Sequence, residues 1–422
     1  MPGEIGNRLN GETVSLDLTN CLLCVFFPPP QQVFLLCLIP MAAAGTTAPS
    51  LSASPIVFAR NLFRALNEES PKVNMVISPA AARSALTLVF MGAGGKSAEE
   101  LRSVLMLGAA GKNEIAMQHA EFWSKECTCS EKGAALRLVT RLYVNDDVPL
   151  RPDFNLKAVE FFNAQADALN YSDPNASMRQ VNKWLELQTF HTVRNLLTPA
   201  TFNPELSVIL VNSIYFRAKW AKRFSVDRTA PEDFWISATQ RMELAMMRQI
   251  GQFRYAQSKK LQSDILHLPF EDSDISMMLI VPKEVDGLPA LEEKLAQLDM
   301  NEVASKGLQH EVEVTMPLFK IECDIDLKVP MQKLGLERIF KPGQADLSGL
   351  FAKKSPQLIS EARHKLYLQV TESGCETDPD TPARAAAFMQ NPERKIFKAD
   401  RPFVFAIRNN RTVYFVGHFL KP

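Results

Sequence analysis

The chain lacks an excess of charge of either sign, because its 47 Lys and Arg residues balance 47 Asp and Glu residues. A protein that binds nucleic acid or an anionic membrane surface usually carries a basic excess, so we expect neither as a partner. Cysteine is also scarce, with seven residues in 422. That count excludes a disulfide-built scaffold, since a chain of this length can bury an adequate core without cross-links.

Enzyme motifs are also missing. Residues 91–97 contain the glycines and the lysine of a phosphate-binding loop, but Phe90 stands where that loop needs its first glycine. His310 and Glu311 lack the second histidine of a zinc-protease helix, since position 314 is Val. No Gly-x-Ser-x-Gly motif occurs, and the six histidines are scattered singly. We therefore expect a protein that is not an enzyme and holds no metal and no cofactor.

Residues 1–50 differ from the rest of the chain. Prolines 28–30 separate two apolar runs, and neither run reaches the roughly 20 residues that span a bilayer. The second run, residues 33–41, has signal-peptide length, and the alanines at 42–44 supply a small-residue cleavage pattern. The segment before it has more acidic than basic residues, unlike a signal peptide. We expect a leader over residues 1–50 and a secreted protein; the alternative is translation from Met41, which gives an intracellular protein.

Three Asn-x-Ser/Thr triplets are acceptors for N-glycosylation in a secreted chain. They begin at Asn170, Asn175 and Asn410. Triplets of this kind also occur by chance, so the expectation of a glycoprotein depends on the expectation of secretion.

From about residue 55 the sequence predicts elements without linkers between them. An apolar stripe over residues 58–66 predicts a helix, and Ser78 followed by Pro79 predicts the N-cap and first residue of a second. Residues 97–100 (Ser-Ala-Glu-Glu) predict a capping box for a third helix that runs to Leu105. Strands are predicted at 207–216, 275–282, 312–317 and 365–370, with a hairpin over 403–416. Helices early and strands late predict an α+β fold.

Residues 371–396 are polar and rich in turn-forming residues, and they lie between two predicted strands. A loop longer than about 15 residues inside a compact domain is usually either functional or disordered. Composition alone favours a disordered surface loop, so the functional interpretation needs a further argument.

That argument comes from a resemblance to the serpin family. The matching pieces follow one another in order along the chain, and together they are far more specific than any single piece. They are Asn-Met-Val-Ile-Ser-Pro at 74–79, Asn-Lys-Trp at 182–184, Val-Asn-Ser-Ile-Tyr-Phe at 211–216 with Lys-Trp at 219–220, Met-Pro-Leu-Phe-Lys at 316–320, Ala-Asp-Leu-Ser-Gly at 345–349, His-Lys at 364–365, Phe-Lys-Ala-Asp-Arg-Pro-Phe at 397–403 and Phe-Val-Gly at 415–417.

The resemblance implies one α+β serpin domain over residues 51–422, with about nine helices, three β-sheets and a reactive loop at about 374–396. It implies a monomer whose partner is a serine protease. The protease cleaves the loop, which then inserts as a central strand and releases stored strain. Counting from Gly374, the hinge glycine, places the reactive bond at Phe388–Met389, or one residue to either side. A large apolar residue there suits a chymotrypsin-like protease.

The hinge departs from the inhibitory pattern, in which Thr or Ser follows the glycine and precedes Glu and a run of alanines. Here the hinge continues with Cys375, Glu376, Thr377, Asp378, Pro379 and Asp380. Pro379 cannot donate a ladder hydrogen bond and is excluded from central strands, and Pro382 repeats the problem. Insertion competes with release of the protease, and about 1.4 kcal/mol of extra barrier costs tenfold in rate.

The sequence therefore predicts a serine protease inhibitor with weak or absent stable trapping. Two alternatives stay open. One is an efficient inhibitor of a chymotrypsin-like protease, and the other is a non-inhibitory serpin that acts as a binding, carrier or chaperone-like protein.

The resemblance also assigns residues beneath and above the opening of the central sheet. These are the shutter residues Ser78, Asn212 and His364 and the breach residue Trp220. Two departures accompany them. Ala81 replaces a serine of the shutter motif, and His191 stands where the family has glycine.

Overall fold

A computed structural model of the chain describes residues 54–68, 73–127, 134–202, 208–352, 357–375 and 393–422. The predicted leader lies outside the described residues, and so do Glu376, Thr377, Pro379, Phe388 and Met389. All the described residues belong to one compact unit. The predicted boundary between residues 50 and 51 stays a prediction.

The described residues contain nine α-helices. Their bounds are α1 Ser54–Asn67, α2 Pro79–Gly92, α3 Gly95–Val104, α4 Lys112–Glu126, α5 Pro152–Phe162, α6 Pro174–Gln188, α7 Leu288–Ala296, α8 Met300–Ser305 and α9 Lys328–Lys333. None of these helices combines the length and apolar character needed to cross a membrane.

Two helix predictions are confirmed at the residue level. The apolar stripe of α1 is buried, with Phe58 and Leu62 almost fully enclosed. The Ser78 hydroxyl caps α2 by accepting a 3.1 Å hydrogen bond from the backbone N–H of Ala81, and Pro79 is the first helical residue. Both signals are local, which explains why sequence alone locates them.

The third helix begins earlier than predicted, at Gly95 after an extended glycine, and no side chain caps it. Ser97 lies inside the helix, where its buried hydroxyl accepts a 3.0 Å hydrogen bond from the backbone N–H of Asp346. The Glu100 carboxylate accepts hydrogen bonds from the backbone at residues 337–338. The predicted capping box is therefore wrong, because both of its side chains make contacts with distant segments.

The described residues form fifteen β-strands. Their bounds are β1 Met75–Ile77, β2 Ala135–Asn145, β3 Gln165–Leu169, β4 Val208–Lys219, β5 Ala230–Ser237, β6 Gln240–Ser258, β7 Ser263–Pro269, β8 Ser276–Pro282, β9 Leu308–Pro317, β10 Phe319–Asp326, β11 Ile359–Val370, β12 Gly374–Cys375, β13 Lys395–Lys398, β14 Phe403–Arg408 and β15 Val413–Phe419. The predicted C-terminal hairpin is confirmed, as β14 and β15 pair antiparallel.

A six-stranded sheet has the order β10-β11-β4-β2-β3, with β12 paired to β4 off this path. A nine-stranded sheet has the order β1-β15-β14-β8-β7-β6-β9-β13, with β5 paired to β6. The resemblance implies three sheets. Strand β6 is 19 residues long; its N-terminal part pairs with β5, its middle part with β9 and its C-terminal end with β7. Because β6 takes part in all three pairings, two of the three sheets that the resemblance implies form one continuous sheet.

Strand β4 shows how the core is divided. Val208 and Leu210 belong to the large core shared with α1 and α2, whereas Ile209 and Val211 belong to a second cluster. This alternation follows from the two-residue period of a strand, whose successive side chains point to opposite faces. Helix α6 contributes Val181 and other side chains to the second cluster. The six-stranded sheet is thus covered on both faces.

Candidate functional site

Strands β4 and β11 pair over only part of their length. They form a parallel ladder from the pair Val208–Ile359 to the pair Asn212–His364. The next link is a side-chain contact, in which the Ser213 hydroxyl donates a 2.7 Å hydrogen bond to the backbone carbonyl of Lys365. Within the described residues, the ladder between the two strands does not continue beyond this point. The sheet is therefore open between the C-terminal parts of β4 and β11, which we call its upper half.

The first residues of the predicted hinge occupy the mouth of this opening. Gly374 and Cys375 form β12, which pairs antiparallel with Lys219 and Ala218 of β4. Cys375 is buried, and it lines a groove together with side chains from both strands. These are Ile214 and Phe216 of β4 and Tyr367 and Gln369 of β11. The central sheet therefore already contains the start of an additional strand.

Gly374 fits this position because it has no side chain. Its φ of +152° is one that other residues rarely adopt, and an added Cβ would lie 2.0 Å from the carbonyl oxygen of Ala218. Any other residue at position 374 would push β12 away from β4. The structure thus supplies a physical reason for glycine at position 374, while its role as a hinge stays a prediction.

Trp220 fixes the segment that precedes the hinge. Its indole N–H donates a 2.9 Å hydrogen bond to the carbonyl of Thr371, and its ring stacks on Phe270 at 4.7 Å between centroids. Its backbone N–H also donates to the carbonyl of Ser373, at 2.9 Å. The Glu372 carboxylate accepts a 2.7 Å hydrogen bond from the hydroxyl of Thr229. The chain is therefore held on both sides just before it enters the sheet.

The three predicted shutter residues meet at the last pair of the ladder between the two strands, just below the opening. The backbone N–H of Ser78 donates to Nε2 of His364 at 3.2 Å, and Nδ1 of His364 lies 2.6 Å from Oδ1 of Asn212. Because Nε2 accepts, the ring proton is on Nδ1 and is donated to Asn212. The Asn212 amide nitrogen donates to the hydroxyl of Thr140, at 2.8 Å. This chain of hydrogen bonds ties α2, β11, β4 and β2 together.

Complete burial governs the chemistry of the shutter. It lowers the pKa of His364 to about 3, because the charged imidazolium would lose its hydration there. The ring is therefore neutral at physiological pH and acts as a linker. Ala81 is also fully buried, and the Ser78 hydroxyl is engaged as a helix cap. Ser78 consequently reaches His364 through its backbone alone.

The segment after α6 lies over the groove, and sequence reasoning gave it only one signal, the unusual His191. That residue has a φ of 61°, a left-handed conformation that glycine adopts at little cost. Thr192 and Val193 line the same groove as Cys375.

No signal in the sequence pointed to a role for Lys365, although it adjoins a predicted shutter residue. Its ammonium donates a 2.6 Å hydrogen bond to the carbonyl of Arg194 and so fastens the segment after α6 to β11.

The glycosylation candidates lie on the surface, since the asparagines at positions 170, 175 and 410 are all exposed. In two of the triplets the hydroxyl residue is buried, namely Ser177 and Thr412. Among the described residues, no group of three or more His, Cys, Asp or Glu side chains could hold a metal ion. Of the predicted site residues that the structure describes, those of the hinge, breach and shutter lie around the opening between β4 and β11.

Comparisons with known proteins agree with this geometry. The chain is 33% identical over 363 residues to Serine protease inhibitor 42Dd of Drosophila melanogaster, which covers 86% of this chain and 95% of that protein. It is 30% identical to the Leukocyte elastase inhibitor of Homo sapiens, over 88% of this chain and 99% of the relative.

Among solved structures, Serpin48 of the insect Tenebrio molitor superposes with a TM-score of 0.78 at 29% identity, covering 88% of this chain and 98% of that one. The sequence profile of the family described as Serpin (serine protease inhibitor) matches residues 53–422. The match spans most of the chain and includes the residues predicted to form the hinge, the breach and the shutter. This chain belongs to the serpin family.

Proposed function

We propose that the chain is an inhibitor of serine proteases that presents the bond at Phe388–Met389 to a chymotrypsin-like enzyme and traps that enzyme weakly. The observation that carries the proposal is the position of Gly374 and Cys375. They already pair with β4 at the top of an open sheet, so the path of an inserting strand begins at the hinge. The names of two relatives, a serine protease inhibitor and a leukocyte elastase inhibitor, support the same class of partner.

The groove sets the demands on the residues that would follow Cys375. Side chains two apart share a face of a strand, so Thr377 and Pro379 would follow Cys375 into the interior. Pro379 has no N–H to donate to a neighbouring strand, and Asp378 and Asp380 would bring charge against a covered sheet. Each obstacle slows insertion relative to release of the cleaved inhibitor. This competition supports weak trapping.

The direct test is incubation with chymotrypsin, followed by electrophoresis in SDS and mass spectrometry of the fragments. We expect cleavage at or beside Phe388, with a minor fraction of the protein in an SDS-stable complex with the protease. Complete conversion to the complex would contradict weak trapping and support the efficient-inhibitor alternative. An uncleaved chain would contradict both and favour a non-inhibitory serpin with a binding, carrier or chaperone-like role.

A repaired hinge makes the test sharper. The triple variant Asp378→Ala, Pro379→Ala, Asp380→Ala restores a backbone N–H donor at every residue from 374 to 381 and leaves Pro382 in place. We expect it to raise the ratio of stable complex to cleaved product about tenfold, which corresponds to about 1.4 kcal/mol in the competing barriers. The control is Pro392→Ala, which removes a proline on the other side of the reactive bond. An equal ratio in both variants would show that the hinge does not limit trapping.

We propose further that the protein is a secreted, monomeric glycoprotein. The exposed asparagines at positions 170, 175 and 410 support modification if the chain enters the secretory pathway. Mass spectrometry of the mature N terminus tests this, since cleavage near residues 42–44 indicates a signal peptide. A protein whose N terminus is Met41 would instead be intracellular. Light scattering of the purified protein tests the monomer.

A further inference from the structure

A cavity with a volume of about 380 Å³ lies away from the groove, between α2, α4 and the turn before β15. Its size is within the range of small-molecule sites in proteins. The residues that determine its character are Ala80, Arg83, Ser84, His119, Trp123 and Thr412. None of them belongs to the hinge, the breach or the shutter, so protease inhibition leaves this cavity without a role.

One wall of the cavity is aromatic. Phe122 and Trp123 are neighbours on α4, and their rings meet edge to face at 5.3 Å between centroids. His119 stacks on Phe162 at 4.1 Å and also lies 6.3 Å from the Trp123 ring. Flat rings arranged in this way favour a flat aromatic ligand, since such a ligand gains from both area burial and ring geometry.

The histidine and serine of the cavity satisfy one another. Nδ1 of His119 lies 2.8 Å from the backbone carbonyl of Phe161, which can only accept, so the ring proton is on Nδ1. Nε2 then accepts the hydroxyl proton of Ser84 at 2.6 Å. Burial lowers the pKa of His119 to about 4 and keeps the ring neutral. This pair therefore contributes no charge and no spare proton to a ligand.

Two other groups give the cavity a hydrogen-bond donor and a positive charge. The hydroxyl of Thr412 has no hydrogen-bond partner in the described part of the chain, although the residue is 2% exposed and lines the cavity. A buried hydroxyl without a partner is costly and usually marks a missing water or ligand. Arg83 also lines the cavity, and its Nε donates to the carbonyl of Leu105 at 2.9 Å. Burial lowers its pKa only to about 10, so the guanidinium keeps its charge.

We propose that this cavity binds a small aromatic monocarboxylate, whose ring packs against Trp123 and whose carboxylate accepts from Thr412 and faces the Arg83 charge. A carboxylate supplies acceptors where the cavity supplies the Thr412 donor and the Arg83 charge, and charge-assisted hydrogen bonds in a buried site are the strong ones. Binding at this site is independent of whether the reactive loop traps a protease.

Calorimetric titration with naphthoate tests the proposal, and the alcohol naphthalenemethanol is the neutral counterpart. The protein is produced without glycosylation, because Thr412 also belongs to the triplet of Asn410. We expect saturable binding of naphthoate, partial quenching of the tryptophan fluorescence to which Trp123 contributes, and at least about tenfold weaker binding of the alcohol. Equal affinities for the two compounds, or no heat from naphthoate at millimolar concentration, would overturn the proposal.

The variant Thr412→Val removes only the hydroxyl that has no partner in the described part of the chain. We expect it to weaken naphthoate binding about tenfold while leaving the midpoint of thermal unfolding unchanged or higher. Thr192→Val is the matched control, because the Thr192 hydroxyl is also buried without a partner among the described residues but lines the groove near Cys375 instead. Equal effects of the two variants on naphthoate affinity would place the ligand elsewhere. Ala80→Phe should abolish binding by filling the cavity.

Discussion

The backbone N–H of Ser78 donates a 3.2 Å hydrogen bond to Nε2 of His364, 286 positions further along the chain. This contact joins the start of α2 to the strand that borders the opening of the central sheet. Since both residues are fully buried, the link depends on a neutral imidazole that accepts at one nitrogen and donates at the other.

The stability of the domain should therefore fall in acid through buried histidines. The pKa of His364 is lowered to about 3 in the folded state, and those of His119 and His267 to about 4, against about 6.5 in an unfolded chain. Between about pH 6 and pH 4 the unfolded state binds more protons, so each histidine removes about 1.4 kcal/mol of stability per pH unit. Above about pH 6.5 these histidines are neutral in both the folded and the unfolded state, so they remove no stability there.

Urea unfolding across that pH range measures the slope. We expect His364→Gln to lower stability at neutral pH, because a shutter link is lost, and to make the pH dependence shallower by about 1.4 kcal/mol per pH unit. His119→Gln should make the dependence shallower by the same amount without touching the shutter. A variant with the slope of the unmodified protein would show that the residue is not buried neutral.

Gly374→Ala should displace the hinge from the sheet. The new Cβ would meet the Ala218 carbonyl oxygen at 2.0 Å, and the φ of +152° disfavours alanine. We expect a loss of about 2 kcal/mol in unfolding free energy and faster hydrogen exchange in residues 371–375. Gly111→Ala is the control, since its Cβ would meet no atom within 4 Å and its φ is negative. Equal exchange in the two variants would contradict the pairing of β12 with β4.

Trp220→Phe should weaken the attachment of residues 371–373 while keeping an aromatic ring in the core. The substitution keeps an aromatic ring beside Phe270 but leaves the carbonyl of Thr371 without the indole donor, at a cost of about 1–3 kcal/mol. Hydrogen exchange should quicken at Glu372 and Ser373. Trp235→Phe, at a partly exposed ring beside Arg241, serves as the control and should leave exchange in this segment unchanged.

His191→Gly should stabilise the domain, which is unusual for a change to glycine. The left-handed φ of 61° at His191 costs a non-glycine residue about 1–2 kcal/mol, and glycine avoids that cost. We expect a gain of about 1 kcal/mol in unfolding free energy, measured in urea, after the greater freedom of the unfolded glycine chain is allowed for. Thr192→Gly should be destabilising. A loss of stability in both variants would contradict the strain at His191.

Features set by neighbouring residues were predictable from the sequence, while those set by distant contacts were not. The cap at Ser78 and the stripe of α1 depend on a few consecutive residues, and the shutter trio and Gly374 came from the family resemblance. The capping box at Ser97 failed because Asp346, far away in sequence, uses that hydroxyl. The hydrogen bond from Lys365 to the Arg194 carbonyl and the cavity beside Thr412 likewise depend on packing between separate elements.

The two flanks of the reactive loop belong to different sheets. Gly374 and Cys375 pair with β4 in the six-stranded sheet, whereas Lys395–Lys398 pairs with β9 in the nine-stranded sheet. A protease that cuts at Phe388 would thus create two ends with unequal fates. The upstream end would be released beside an open sheet, while the downstream piece would remain clamped through β13, β14 and β15. The fragments of the cleaved protein should accordingly stay together until the fold itself is denatured.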